Sequence, residues 1–337
     1  MLTLICGAPG ELEYREAEYP EIINGFSIIK IRRVGVCGTD LHAFEGTQPY
    51  FSYPRILGHE LAAEFVEGDA AGCVPGDLVT IMPYLHCGNC MACKKGFTNC
   101  CTSMQVCGVH IDGGMVEYLS VPSYTIINGG GLTPDQLALT EPLAIAAHGI
   151  RRAGVVAGEW VVITGAGPIG LALVEFAILR EAKVIVLDVN ETRLNFCRLN
   201  WSGVFTVNPA TEQANERIRD LTSGEMASVV IDASGNLAAI NKAFMYMAHT
   251  GRYILVGLQR NDISFSHPEF HKREATLMSS RNATREDFDL VLHHVKAGEI
   301  NTNKYITHHT AFYQVKNNFQ QWLNPESGVI KVLIDMP

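Results

Sequence analysis

Short apolar runs broken by Gly and Pro fill the first third of the chain. Three of these runs, at residues 26–36, 60–68 and 77–84, have the composition of β-strands. Several short strands separated by turn residues are typical of a compact β-rich domain. The pattern therefore predicts that the chain begins with such a domain.

From residue 160 the pattern changes to an alternation of strands and helices. We predict a helix at 168–182, which begins with proline, where a missing N–H costs little. Buried strands are predicted at 160–167, 183–189, 228–235 and 252–258. Such alternation indicates a parallel sheet covered by helices on its faces.

Outside these two regions the pattern is less regular. Residues 134–154 are dense in Ala and Leu and end at Gly, which predicts one helix. After residue 258 we expect irregular chain, then a helix at 286–297 and a final strand at 329–334.

Length and composition narrow the class of protein. A chain of 337 residues suggests two domains. No apolar run is long enough for a membrane span, and the N-terminus lacks the basic region of a secretory signal. Ten cysteines without such a signal indicate metal ligands and free thiols in the cytoplasm. The formal charge of −9 argues against nucleic-acid binding, which needs basic surface.

Four cysteines form the most specific motif of the chain. Cys87, Cys90, Cys93 and Cys101 have the spacing of a loop that supplies four thiolates to one tetrahedral Zn²⁺. Cys100 is one residue away from that spacing and is an alternative fourth ligand. A set of unrelated free thiols is the competing interpretation. We predict a closed structural zinc site.

The buried strand predicted within 160–167 runs directly into a glycine-rich hexapeptide. This hexapeptide has the pattern G-x-G-x-x-G and consists of Gly165, Ala166, Gly167, Pro168, Ile169 and Gly170. In a strand–turn–helix context, the first glycine permits the turn and the second lets the backbone approach a pyrophosphate. The third allows close packing of helix and strand. The helix N-terminus offers N–H groups to the phosphates, so we predict a dinucleotide site.

An acidic residue at the end of the next strand refines this prediction. Asp188 lies about 20 residues after Gly167, where a carboxylate accepts hydrogen bonds from the adenosine ribose. Its charge opposes a 2′-phosphate, which favours NAD over NADP. Arg193 follows five residues later and is also expected at the cofactor.

Candidate ligands for a second metal are scattered. Cys37, His59, Glu60 and Glu141 are of the residue types that bind a catalytic zinc. Spacing alone does not select them, since a lone Cys or His is more often a core residue.

The motifs together resemble zinc-dependent medium-chain dehydrogenases/reductases over nearly the whole chain, and most closely their polyol, threonine and sugar-acid branch. The matching stretches are VCGTDLH, GHE, PGDLV, the cysteine cluster, DGGMVEYLSVP, EPLAIAAHG, GAGPIGL and LVGL. The resemblance implies an α/β fold with two domains. A GroES-like β-rich catalytic domain would comprise residues 1–146 and 280–337. A Rossmann NAD-binding domain with a six-stranded parallel sheet would comprise 147–279, with the active site in the cleft between them.

The same resemblance assigns metal ligands. It implies two zinc ions per chain, one structural and one catalytic, with Cys37, His59 and Glu60 as ligands of the catalytic ion. Glu141 is implied as an alternating or water-mediated ligand, and the choice between the two glutamates stays open. The chain departs from the family pattern in a short segment between Glu60 and Asp77, and in Ala63, where glycine is typical. A non-catalytic relative of this fold would lack the full ligand set.

The implied reaction is oxidation of a secondary alcohol to a ketone by hydride transfer to NAD. Thr39 and His42 are expected to carry the proton to solvent, since histidine exchanges protons near neutral pH. Alternatively, they are a residue of a strand-end turn and a surface histidine. Gly257, in LVGL, and Arg281 are expected near the cofactor.

The sequence constrains the identity of the substrate less than it constrains the fold, the metals or the cofactor. The stretches TQPYFSYPR, GVHIDGG and HPEFHKREATLMSSRNAT resemble a bacterial galactonate-type sugar-acid dehydrogenase. We expect a sugar acid such as L-galactonate, with a polyol such as sorbitol, or L-threonine, as the alternative. Arg281 would grip the carboxylate through two hydrogen bonds, with Asn282 beside it, and Tyr50, Phe51 and Tyr53 would line the pocket. A homodimer or homotetramer is usual in this family.

Overall fold

The chain divides into two compact units. The computed structural model describes the backbone of residues 1–337 and every side chain except that of residue 325. The first unit comprises Met1–Ala144 and Asn282–Pro337, and the second comprises Ile145–Arg281. No described helix is long and apolar enough to cross a bilayer.

The first unit is rich in short strands. In its N-terminal segment the strands are β1 (Leu2–Ala8), β2 (Glu11–Glu16), β3 (Phe26–Gly35), β4 (Arg55–Ile56), β5 (Glu60–Gly68), β6 (Leu78–Ile81), β7 (Tyr84–Leu85), β8 (Gln105–Val106), β9 (Tyr118–Pro122) and β10 (Ile126–Asn128). The helices of this segment are α1 (Gly38–Glu45), α2 (Met91–Lys94), α3 (Pro134–Ala138) and α4 (Thr140–Ala153), the last of which contains the boundary at Ala144.

The second unit alternates strands and helices. Its strands are β11 (Trp160–Thr164), β12 (Lys183–Leu187), β13 (Phe205–Val207), β14 (Ala227–Asp232), β15 (Met247–Leu255) and β16 (Thr276–Ser279). Its helices are α5 (Pro168–Leu179), α6 (Glu191–Asn200), α7 (Ala214–Leu221), α8 (Leu237–Ala243) and α9 (His267–Lys272). The chain then returns to the first unit with α10 (Arg285–Lys296), β17 (Ile306–Ala311), α11 (Val315–Asn318) and β18 (Lys331–Asp335).

The largest sheet of the first unit brings three distant segments together. Its strand order is β10-β6-β5-β3-β18-β17, with β9 also paired to β3. Strand β3 is antiparallel to both β5 and β18, so that Gly35 lies opposite Glu60 on one side and Leu333 on the other. Apolar residues of β3 and β5, including Ile29, Ile31 and Leu61, are fully buried. The end of β3 therefore lies beside the start of β5 and near the start of β18.

The sheet of the second unit confirms the predicted six-stranded parallel arrangement. Its order is β13-β12-β11-β14-β15-β16, and every pair is parallel. The central strands are continuous runs of Val and Ile buried on both faces, as in sheets covered by helices on each side. The strand order reverses between β11 and β14, which is where such sheets bind ligands.

The structure corrects the helix predicted at 134–154. It is broken at Leu139 into α3 and α4. Pro142 explains the break, because it has no N–H to bond the carbonyl four residues earlier and is tolerated only in a first helical turn. The N-cap of α3 is Thr133, whose side chain accepts a hydrogen bond from the N–H of Gln136.

The region after residue 258 is more regular than predicted. It contains α9 and the edge strand β16. Ser266 caps α9 and is followed by a proline and by Glu269, a pattern that is typical of helix N-termini. The predicted strand 252–258 is also shifted. Strand β15 ends at Leu255 because the N–H groups of Val256 and Gly257 both bond the carbonyl of Asp232 at 2.9 Å.

Candidate functional site

Three potential metal ligands meet at the end of β3. Cys37 is the N-cap residue of α1, two residues after the end of β3, and Glu60 begins β5 with His59 directly before it. One ligand atom from each of the three lies within 4.8 Å of the others. The antiparallel pairing of β3 and β5 brings them together, although they are distant in sequence. A thiolate, an imidazole and a carboxylate are donors that suit Zn²⁺.

Asp40 holds the two segments that carry these residues. Its Oδ2 accepts the N–H of Cys37 at 2.9 Å, and its Oδ1 accepts the N–H of Gly58 at 3.1 Å. Gly58 has a φ of +95°, which favours glycine directly before His59. The Nδ1 atom of His59 lies 3.8 Å from Asp40 Oδ1 and has no hydrogen-bond partner among the described residues. Burial raises the pKa of Asp40.

Glu60 has a partner that the sequence did not suggest. Both of its carboxylate oxygens lie 2.6 Å from the ammonium nitrogen of Lys331, at the start of β18. Burial alone would lower the pKa of Lys331, but the charge of Glu60 raises it above its ordinary value. The predicted strand at 329–334 contained this lysine, and a lysine within an apolar strand was the available signal.

Glu141 differs from Glu60 in its surroundings. It lies in the first turn of α4, is buried, and its Oε1 accepts a hydrogen bond from the hydroxyl of Tyr84. Its Oε2 is buried with no hydrogen-bond partner among the described residues. Burial raises the pKa of Glu141 to about 7. A buried oxygen without a partner is expensive, and a bound cation would compensate for it. Glu141 lies outside the group of three described above.

The cysteine cluster forms a second candidate metal site. The sulfur atoms of Cys87, Cys90, Cys93 and Cys101 lie within 4.8 Å of one another, whereas Cys100 is exposed and outside this group. Backbone N–H groups point at the sulfurs. Cys101 Sγ accepts from the N–H of Cys87 at 3.3 Å, and Cys87 Sγ from that of Cys90 at 3.4 Å.

Backbone N–H groups favour the charged thiolate, the form that binds zinc, at Cys87 and Cys90, whereas burial raises the pKa of Cys93. The N–H groups of Cys93 and Thr102 lower the pKa of Cys90 to about 5. Cys90 also caps α2, whose N-terminus favours negative charge. The donor set therefore fits a closed, tetrahedral zinc site.

In the second unit, the glycine-rich turn follows β11 as predicted. Gly165 has a φ of +96° and begins the turn. An alanine at Gly167, the N-cap of α5, would meet no atom within 4 Å, so the helix N-terminus is open on this side. Pro168 begins α5, and Ile169 and Gly170 follow in its first turn. This geometry suits the approach of a pyrophosphate to the backbone.

Asp188 follows β12 and contacts this turn. Its Oδ2 accepts the N–H of Ala166 at 2.7 Å, and its Oδ1 accepts that of Asn190 at 2.8 Å. Arg193 lies in the first turn of α6, with its guanidinium 3.9 Å from Asp188. A cavity of about 270 Å³ is lined by Gly165, Asp188 and Lys242, among others. The cavity lies at the carboxyl ends of β11 and β12.

The other residues predicted for the proton relay and the cofactor lie in three separate places along the chain. Thr39 and His42 lie on α1, where His42 is 62% exposed with its Nδ1 3.2 Å from the hydroxyl of Thr47. Gly257 packs so closely on the loop after β14 that an added Cβ would lie 2.4 Å from the nitrogen of Gly235. Arg281 is the last residue of the second unit.

Of the three aromatic residues in TQPYFSYPR, two pack against the core and one is exposed. Phe51 and Tyr53 pack on each other, with ring centroids 4.9 Å apart, and against the core of the first unit. The hydroxyl of Tyr53 donates a hydrogen bond to the carbonyl of Ala43. Tyr50 is exposed. Asn282, in the left-handed region with a φ of +53°, donates to the carbonyl of Asn99 at 3.3 Å.

Two protein-family models match the chain. The alcohol dehydrogenase GroES-like domain matches residues 24–130, in the first unit, and the zinc-binding dehydrogenase model matches residues 168–297. Their order along the chain agrees with a β-rich domain followed by a nucleotide-binding sheet.

Individual proteins resemble the chain over most of its length. L-galactonate-5-dehydrogenase of Escherichia coli K12 is 41% identical over 99% of this chain and 98% of its own. L-threonine 3-dehydrogenase of Pyrococcus furiosus is 32% identical, over 88% of this chain and 87% of its own. The crystal structure of RspB from E. coli CFT073, a dehydrogenase complexed with NADH, has a TM-score of 0.91 at 27% identity and covers 99% of each chain.

Proposed function

The chain belongs to the zinc-type alcohol dehydrogenase family, and from this premise we propose that it oxidises a secondary alcohol of a sugar acid to a ketone with NAD. The convergence of Cys37, His59 and Glu60, within 4.8 Å of one another, is the observation that carries the proposal. The first unit would be the catalytic zinc-binding domain and the second the NAD-binding domain. We further propose a homodimer or homotetramer, which light scattering would test.

Cys37 and His59, with a carboxylate from Glu60 or Glu141, would hold the catalytic zinc. A zinc ion polarises the alcohol oxygen and lowers its pKa, and NAD accepts the hydride. The buried Oε2 of Glu141, which has no hydrogen-bond partner among the described residues, supports this fit, since such an oxygen is costly without a further partner. The four thiols of the cysteine cluster would hold a structural zinc.

Thr39 and His42 would move the proton. Thr39 follows Cys37 by two residues on α1 and would accept the alcohol proton at its hydroxyl. His42 lies one helical turn further on, largely exposed, and would deliver that proton to solvent. Its exposure supports this role, since a relay must end in water.

On the cofactor side, the N–H groups at the start of α5 would bind the pyrophosphate. Asp188 would accept hydrogen bonds from the adenosine ribose, because each of its oxygens has capacity beyond its one backbone bond. The charge that Asp188 brings to this pocket favours NAD over NADP.

The substrate proposal is L-galactonate or a close analogue, supported by 41% identity to L-galactonate-5-dehydrogenase. L-threonine is the second candidate, favoured by the relative from P. furiosus. A panel of aldonates, polyols and L-threonine, assayed for NADH formation, tests the choice. Aldonates should give the highest kcat/KM, and a higher value for threonine or sorbitol would contradict the sugar-acid proposal.

Metal analysis tests the enzyme class independently of the substrate. The parent chain should contain two zinc ions, and Cys37→Ser should contain one and be inactive. Two zinc ions in the Cys37→Ser variant would exclude Cys37 as a ligand.

A further inference from the structure

Asp232, at the carboxyl end of β14, is a buried carboxylate outside both candidate metal sites. Its Oδ1 accepts hydrogen bonds from the hydroxyls of Thr164 at 2.9 Å and Ser234 at 2.6 Å. The N–H of Ser234 also donates to Oδ1, at 3.2 Å, and the N–H of Gly235 donates to Oδ2 at 3.1 Å. Every partner donates, which is the arrangement that an ionised carboxylate requires.

The donors around Asp232 are all neutral. No described lysine, arginine or histidine side chain pairs with it. By contrast, Asp188, which follows β12 on the other side of β11, has the guanidinium of Arg193 at 3.9 Å. A buried charge is costly unless a counter-charge or hydrogen bonds compensate for it. Asp232 has the hydrogen bonds without the counter-charge, so its negative charge is not balanced by a cation from the described side chains.

Asp232 also joins the ends of three neighbouring strands. Thr164 ends β11, and the carbonyl of Asp232 accepts the N–H groups of Val256 and Gly257, after β15, at 2.9 Å each. A Cβ added to Gly257 would lie 2.6 Å from Asp232 Oδ2. The carboxylate is thus enclosed by these three chain segments, and its charge has a fixed position.

The place of Asp232 in the sheet relates it to one half of the cofactor. A dinucleotide binds across the point where the strand order reverses, with one nucleotide on each side. Asp188, after β12, would hold the adenosine ribose, and the start of α5 would hold the pyrophosphate. The carboxyl ends of β14 and β15 are then left for the nicotinamide half, and Asp232 lies at the first of them.

Resting on the proposed function, we propose that Asp232 makes the nucleotide site favour the oxidised cofactor, NAD⁺, over NADH. The nicotinamide ring of NAD⁺ is positively charged. It becomes neutral when it receives a hydride from the alcohol carbon, while the hydroxyl proton leaves to solvent. The fixed negative charge therefore attracts the ring only before hydride transfer, and it acts more strongly inside a protein than in water. NADH, the product of alcohol oxidation, is released more readily as a result.

The test compares Asp232→Asn with the parent chain. Asparagine has nearly the same shape without the charge. Its amide can donate to the hydroxyls of Thr164 and Ser234, which can also accept, and its oxygen can accept the N–H of Gly235. The dissociation constant of NAD⁺ is measured by calorimetry and that of NADH by cofactor fluorescence. We expect the ratio of the NAD⁺ constant to the NADH constant to rise about tenfold.

Two controls separate the effect of the charge from a general disturbance of the site. ADP-ribose lacks the nicotinamide and should bind Asp232→Asn and the parent equally. Thr164→Val removes one hydrogen bond to the carboxylate but keeps its charge, so the ratio should be parental. If Asp232→Asn does not fold, Asp232→Thr supplies a second neutral residue, one that suits a strand, and should give the same rise in the ratio.

An unchanged ratio in a folded neutral variant would overturn the proposal. Equal losses of affinity for NAD⁺, NADH and ADP-ribose would also overturn it, because Asp232 would then only support the surrounding loops. Either result leaves NADH formation by the parent chain intact. Failure of the proposed function would instead appear in the parent, as absence of NADH formation from every alcohol in the panel or absence of binding of either cofactor.

Discussion

A Cβ atom added to Gly170 would lie 1.8 Å from the carbonyl oxygen of Gly165, whereas one added to Gly167 would meet nothing within 4 Å. Two glycines of the same motif therefore have different reasons to be glycine. The lack of a side chain at Gly170 allows α5 to begin in contact with the turn after β11. The lack of a side chain at Gly167 leaves the N-terminus of α5 open to a ligand. The cofactor proposal assigns that space to the pyrophosphate.

We therefore expect Gly170→Ala and Gly167→Ala to fail in different ways. Gly170→Ala should destabilise the protein by about 1–3 kcal/mol, because the turn must move to accept the methyl group. Gly167→Ala should keep the parental thermal midpoint but weaken NADH binding, measured by cofactor fluorescence. Loss of stability in Gly167→Ala with unchanged NADH affinity would contradict the proposed pyrophosphate position.

The charge of Asp188 should determine cofactor preference. Asp188→Asn keeps one acceptor oxygen, and so one of the two backbone hydrogen bonds, but removes the negative charge near a 2′-phosphate. The ratio of kcat/KM for NAD to that for NADP should fall about tenfold, which corresponds to about 1.4 kcal/mol. A parent chain that prefers NADP would contradict the role of Asp188 before any variant is made.

Neighbouring cysteines provide a matched test of the structural zinc site. Cys101→Ser should lose one zinc per chain and about 2 kcal/mol of stability, a fall in thermal midpoint of about 4–8 °C. Cys100→Ser changes an exposed thiol outside the four-thiol group and should keep both zinc ions. Equal losses in the two variants would mean that the loop binds zinc in a different way.

The proton relay predicts a change in pH dependence. His42→Ala should lower kcat about tenfold at neutral pH, with recovery at higher pH or with more buffer base, because solvent must then remove the proton. The measurement is the pH profile of kcat at saturating NAD. The variant should fold normally, since His42 is largely exposed. A parental profile would remove His42 from the relay.

The sequence predicted those sites whose residues are close together in the chain better than those whose residues are far apart. The glycine-rich turn lies within six consecutive residues, and the cysteine cluster within fifteen. Both were predicted from spacing. Cys37, His59 and Glu60 come together only through the pairing of β3 with β5, so family resemblance was needed to select them. Lys331 was missed because its partner, Glu60, lies 271 residues away and no local pattern joins them.

Substitution of Arg281 tests most directly whether the substrate is a sugar acid. A guanidinium binds a carboxylate through two parallel hydrogen bonds, each charge-assisted, and a neutral polyol offers no such partner. Arg281→Ala should therefore raise KM for an aldonate by about 10- to 100-fold, the equivalent of about 1.4–2.8 kcal/mol, with a smaller change for sorbitol. Arg281→Lys keeps the charge without the planar fork and should give an intermediate KM. Equal effects of Arg281→Ala on aldonates and polyols would mean that this arginine does not recognise the carboxylate, and the sugar-acid proposal would then depend on the similarity to L-galactonate-5-dehydrogenase alone.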